Sequence, residues 1–120
     1  MTRRLPRLVL GTLPFGGVVS ERNSHDLINQ ALSGGIRAFD VSHLYGGGLA
    51  MQILRDALRG VENVEIWCSI GLEQHPDPNG VFAVEMTALT EESISVKVGS
   101  ALQGLGRESL STLNIHAFDH

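Results

Sequence analysis

One cysteine, one lysine, one tyrosine and one tryptophan occur among 120 residues, and no apolar run approaches the length that crosses a membrane. The lone Cys68 cannot form an internal disulfide, which excludes a disulfide-stapled secreted scaffold and points to a reducing cytoplasm. Lys97 and the arginines are scattered, and the net charge is -4, so no basic stripe exists to neutralise a phosphate backbone. Neither nucleic acid nor a membrane is an expected partner. Met1-Thr2-Arg3-Arg4 followed by Leu8-Val9-Leu10 has the charged-then-apolar order of an export signal, but Gly11, Pro14 and Gly16-Gly17 interrupt it. Low-complexity segments and linkers are missing too, so residues 1–120 read as one domain, burying roughly two-thirds of its unfolded surface. The 42% hydrophobic and 18% charged content is that of a globular chain.

What is present is a repeated grammar of short apolar strand, polar ending, loop and helix. Leu8 to Thr12 reads as a buried strand because its apolar run is continuous, the pattern of parallel strands covered on both faces. Ser24 is expected to cap a helix carrying Leu27, Ile28, Ala31 and Leu32, with Gly34-Gly35 as its left-handed stop. Ile36 to Val41 is the second strand, followed by a flexible Gly46-Gly47-Gly48 loop and a helix with Met51, Ile53, Leu54, Ala57 and Leu58, stopped at Gly60. Val64 to Ile70 is the third strand. The long connection Gly71 to Leu89 contains the turn-rich His75-Pro76-Asp77-Pro78-Asn79-Gly80, which predicts a lid or a flexible insertion. Thr90 caps a third helix with Glu91 and Glu92 in its first turn, Gly104 or Gly106 ends it, and Leu110 to His116 is the fourth strand. Alternating strands and helices demand right-handed crossovers and a parallel sheet.

Each strand ends in polar groups: Gly11-Thr12, Asp40, Cys68-Ser69 and His116. The carboxyl ends of strands are where open sheets and barrels place their chemistry, and Tyr45 follows Asp40 by five residues. Asp40, Tyr45 and His116 are therefore the candidate acid–base groups. The triple glycine lacks both the Lys-Ser/Thr ending of a phosphate-binding loop and the spacing of a dinucleotide fingerprint. His116, Asp119 and His120 invite a metal reading, but the two histidines lie where no helix is assured, and no metal is expected. Cys68 beside Trp67 is most simply a buried thiol.

Three stretches carry a family resemblance: Leu10-Gly11-Thr12 with Phe15-Gly16, then Gly35-Ile36-Arg37-Ala38-Phe39-Asp40 through Tyr45-Gly46, then Leu102-Gln103-Gly104-Leu105-Gly106 leading to Ile115-His116. In order and content they resemble the aldo-keto reductases, particularly the bacterial sugar-dehydrogenase-like branch. The resemblance implies an eight-stranded (β/α) barrel of roughly 250 residues or more, of which this chain corresponds to the amino-terminal half. It implies NADP or NAD as cofactor, with Gly11, Thr12 and Asp40 on the binding side and most adenine and phosphate contacts in the other half of the barrel. Tyr45 takes the role of general acid, supported by Asp40 and His116, on a carbonyl or polyol-like substrate.

Two departures stand out. The position of the family's lysine is occupied by Ser69, and an unperturbed tyrosine titrates near pH ~10, so Tyr45 lacks the cation that makes a phenol an effective relay. His43 is a candidate substitute, whereas Lys97 belongs to the third helix. The family's amino-terminal hairpin is absent or shortened to Met1 to Pro6. The expected fold is thus a parallel (β/α) half-barrel of four strands and three helices, TIM-barrel-like. Its first and fourth strands are bare edges, which predicts a homodimer or a complementary half-barrel as partner. The expected activity is nicotinamide-dependent carbonyl/alcohol interconversion in a site completed by that partner. The alternatives are a non-redox acid–base catalyst (cyclase, dehydratase or isomerase) and a pseudoenzyme that binds through the old pocket.

Overall fold

A computed structural model describes residues 4–76, 79 and 82–117. In chain order the elements are β1 (Leu10–Gly11), α1 (Glu21–Ser33), β2 (Ala38–Ser42), α2 (Leu49–Ala57), β3 (Glu65–Ile70), β4 (Leu72–Pro76), β5 (Phe82–Met86), α3 (Glu91–Leu105) and β6 (Thr112–Ile115). Strands β1, β2, β3 and β6 form one parallel sheet in that spatial order, the half-barrel expected from the sequence. Its register decides what each face carries. Phe39, Val41, Ile66, Cys68 and Ile70 point to the helices and are almost fully buried. The alternate positions, Asp40 beside Trp67 and Ser69 beside Asn114, lie on the opposite face.

The helices pack on one side of this sheet and share one core with it, centred on Ile28, Phe39, Ile53 and Leu54. Helix α1 begins four residues earlier than the sequence suggested. Ser20 is the cap, accepting from the Asn23 backbone N–H at 3.2 Å, while Ser24 is buried inside the helix and donates its hydroxyl hydrogen to the Ser20 carbonyl at 2.8 Å. Both serines satisfy the sequence rule; only the surrounding packing tells them apart. Gly35, with φ +86°, supplies the left-handed stop, and Gly34 does not. Helix α3 matches its expected cap: Thr90 and Ser93 exchange side-chain-to-backbone hydrogen bonds of 3.1 and 2.9 Å, and Gly106 closes the helix at φ +61°.

Three expectations are corrected. The first strand is not buried: β1 is two residues long, and Leu8 is 66% exposed, because β1 is an edge with a neighbour on one side only. The connection after β3 holds an antiparallel hairpin, β4 with β5, in which Glu73 opposes Glu85 and His75 opposes Ala83. Asp77, Pro78 and Gly80 of its turn-rich tip lie outside the described residues, as do Asp119 and His120. The triple glycine, finally, is no loose loop. It completes the 3-10 turn Tyr45–Gly48, with positive φ at Gly46, Gly47 and Gly48, and leads directly into α2.

That turn packs against the segment following β1. A Cβ on Gly46 would sit 2.5 Å from the Phe15 carbonyl oxygen, whereas one on Gly47 would meet nothing within 4 Å. Both have φ near +60°, a conformation that costs a side-chain-bearing residue roughly 1–2 kcal/mol. Gly47→Ala is expected to lose about that much stability and Gly46→Ala clearly more, because only the latter adds a backbone clash. Denaturant midpoints of the two variants check this; equal losses would contradict the close approach.

Candidate functional site

Strand β2 carries Asp40, its middle residue, on the open face, and the backbone there is fixed from the segment after β1. Thr12 donates to the Asp40 carbonyl twice, from its backbone N–H at 3.1 Å and from its hydroxyl at 2.8 Å. Thr12 is fully buried, so it bears on the site by holding Asp40. Gly11, in register with Asp40, leaves open space where a side chain would stand. The 3-10 turn then lifts Tyr45 over the sheet, half-buried against the core. His116 follows β6 and is tied to β3 by its backbone N–H donating to the Ile70 carbonyl at 2.8 Å.

These placements bring the three sequence candidates together. The Tyr45 and His116 rings meet edge to face, centroids 6.0 Å apart at 87°. The Tyr45 hydroxyl lies near enough to the Asp40 carboxylate that each shifts the other's proton affinity. Nδ1 of His116 is buried and has no hydrogen-bond partner among the described residues. An unsatisfied buried nitrogen is costly, and here it leaves a polar atom open to a bound molecule or water at the site.

The electrostatics follow from burial and one negative charge. Burial raises the proton affinity of Asp40, while His116 and the Tyr45 hydroxyl oppose the rise. Burial also raises Tyr45, and Asp40 adds to the rise by its charge and its contact, as does Cys68. The Cys68 thiol, on the helix side of β3, is pushed up to about 11 by burial and then by Asp40. Every neighbour that acts on Tyr45 thus keeps the phenol protonated. The sequence reading did not foresee this influence of Cys68; the one-residue step from Trp67, which is in register with Asp40, was the available signal.

His43, the expected substitute for the cation that the resemblance calls for, lies elsewhere. His43 Nε2 is 2.9 Å from Glu73 Oε2 on β4, and Lys97 on α3 pairs with the other oxygen of the same carboxylate. Glu73 therefore gathers both groups into a separate cluster. Ser69 is buried between Ser42 on β2 and Asn114 on β6.

Residues 7–120 match the sequence profile of the Aldo/keto reductase family. The chain belongs to that family. A glycerol dehydrogenase of Gluconobacter oxydans, AKR11B4, superposes with a TM-score of 0.81 at 25% identity, covering 99% of this chain and 38% of that one. An aldo-keto reductase of Klebsiella pneumoniae, solved in complex with NADPH, shares the fold, with a TM-score of 0.69 at 16% identity over 93% of this chain and 36% of its own. YrpG, an uncharacterized oxidoreductase of Bacillus subtilis, is 40% identical over 45 residues, 38% of this chain and 14% of that protein. The aldo/keto reductase chain described here therefore spans well under half the length of the relatives it matches.

Tyr45 is the sole tyrosine, so ultraviolet absorbance of tyrosinate reads it directly. It is expected to titrate above 10, and Asp40→Asn is expected to lower the midpoint by removing the charge that opposes ionisation. Because the folded state holds this proton more tightly than the unfolded chain, stability falls as pH rises from 10 through the folded midpoint. A midpoint at or below 10, or no response to Asp40→Asn, would overturn the arrangement.

Proposed function

We propose that this chain supplies the acid–base half of a nicotinamide-dependent carbonyl reductase site, with Tyr45 protonating the carbonyl oxygen of a small carbonyl or polyol-like substrate. The observation that supports this most strongly is the convergence of Tyr45, Asp40 and His116 at the carboxyl ends of β2 and β6. Tyr45 holds its proton throughout the neutral range, as a donor must. Nδ1 of His116, without a partner among the described residues, is available to orient the substrate oxygen beside it, and the Asp40 charge keeps the phenol protonated.

The residues present fit one end of the cofactor only. Gly11 leaves open space next to Asp40 for a flat ring, but the groups on that face, Asp40, Trp67, Ser69 and Asn114, include no cation for phosphates. The nicotinamide of NADP or NAD, when bound, supplies the hydride. Its phosphates fall to the strands that complete the barrel. Those strands also cover the bare edges of β1 and β6.

With Ser69 in place of the family's lysine, the phenol is a strong holder of its proton and hence a slow donor. A second reading is an acid–base reaction without hydride, such as a dehydration or isomerisation, and what favours it is that Asp40, Trp67, Ser69 and Asn114 on the site face offer no cation for a cofactor's phosphates.

Titrating NADPH and NADH against the assembled protein separates the two, since saturable quenching is expected only for the redox reading. Tyr45→Phe is expected to cost at least about 100-fold in turnover, the usual scale of general acid catalysis. Ser69→Lys is expected to raise reductase turnover by placing a charge near the phenol. Neither cofactor binding, or full activity in Tyr45→Phe, would defeat the proposal.

A further inference from the structure

A second cavity, of about 280 Å³, lies on the helix side of the sheet between β3, α2 and α3, away from the face that carries Asp40. Space there is unusual, because the layer between a parallel sheet and its helices is normally packed solid. Its apolar wall comes from Met51, Ile70, Val96 and Ala101. Val96 is 64% exposed, an apolar side chain left open at the rim. The polar groups converge on one side: the His43–Glu73–Lys97 cluster, with Ser100 beside it.

The hydrogen-bonding inventory of that side is lopsided. Both oxygens of Glu73 are taken, one by Lys97 and one by His43. Lys97 keeps two N–H groups free of partners among the described residues after its bond to Glu73, and its side chain is 18% exposed. Ser100 adds a hydroxyl at the rim. The free capacity is therefore mostly donor capacity. Glu73 is held below the usual carboxylate range, since Lys97 and His43 outweigh the burial that raises it, and its charge cancels that of Lys97. A second full anion would meet Glu73, and a cation would meet Lys97.

We propose that this cavity binds a small uncharged aliphatic carbonyl compound, an amide or ketone, with its oxygen accepting from Lys97 and Ser100 and its hydrocarbon lying against Met51, Val96 and Ala101. The volume holds roughly nine water-sized groups at about 30 Å³ each, which matches a chain of about six carbons with its polar end. An apolar wall with a few fixed polar groups is the usual build of a small-molecule site. The site is independent of the redox reading, since it uses none of Asp40, Tyr45 or His116.

The test is a nuclear magnetic resonance titration with hexanamide, hexanoate and hexylammonium. Saturable shifts at Val96, Lys97 and Ala101 with hexanamide, and weaker binding of both charged analogues, are expected. Lys97→Met keeps most of the stem and removes the donors, and Val96→Glu places a charge at an exposed rim position. Each is expected to weaken hexanamide by about tenfold or more, the loss of one charge-assisted hydrogen bond or of apolar contact. No saturation with hexanamide, preference for hexanoate or hexylammonium, shifts centred on Tyr45 and His116, or unchanged affinity in both folded variants would each overturn the proposal.

Discussion

A phenol can stand over the carboxyl end of β2 only because the chain reverses within one turn, and that turn depends on bare backbone meeting bare backbone. Gly46 lies so close to the Phe15 carbonyl that no side chain fits between them. On the other side of the same junction, a Cβ on Gly16 would strike the Leu49 side chain at the start of α2. Phe15 is buried, and Thr12 holds the Asp40 carbonyl with two hydrogen bonds. The segment after β1 is thus a backstop against which β2, the 3-10 turn and α2 are all set. Position and orientation of Tyr45 follow from that contact rather than from any strong bond made by its own hydroxyl.

Once the phenol is fixed there, its chemistry is set by what surrounds it. Burial and the Asp40 charge both favour its neutral form, and Asp40 is itself pushed toward protonation by the same burial. His116 offsets part of that rise by its charge interaction with Asp40, and the Tyr45 hydroxyl offsets a further part. The three side chains form an acid–base cluster whose members constrain one another's protonation. The basic groups of the neighbourhood, Lys97 and His43, are drawn off by Glu73 of the hairpin, so two separate clusters sit on the two sides of β3.

Much of this was legible in the sequence where a local rule and the tertiary need agreed. Thr90 and Gly106 bound α3 as expected because both ends are exposed and nothing competes with the capping hydrogen bonds. Strand endings and family motifs pointed to Asp40, Tyr45 and His116 as neighbours, and the rings of Tyr45 and His116 do lie edge to face. Where two residues satisfied one rule, as Ser20 and Ser24 do, only burial chose between them. The hairpin was hidden because Pro76, Asp77 and Pro78 signal a turn so strongly that the short strands flanking it were absorbed into it. Leu8-Val9-Leu10 read as buried because an apolar run does not say whether its strand lies at the centre or the edge of the sheet.

The central claim is that Tyr45 and His116, 71 positions apart in the chain, share one site with Asp40. A two-dimensional nuclear Overhauser spectrum tests it most directly, because the single tyrosine makes its ring signals unambiguous. Cross-peaks between the ring protons of Tyr45 and those of His116 are the expected result for centroids 6.0 Å apart and nearly perpendicular. A folded protein that shows the core contacts of Phe39 and Ile53 but no Tyr45–His116 cross-peaks would contradict the account.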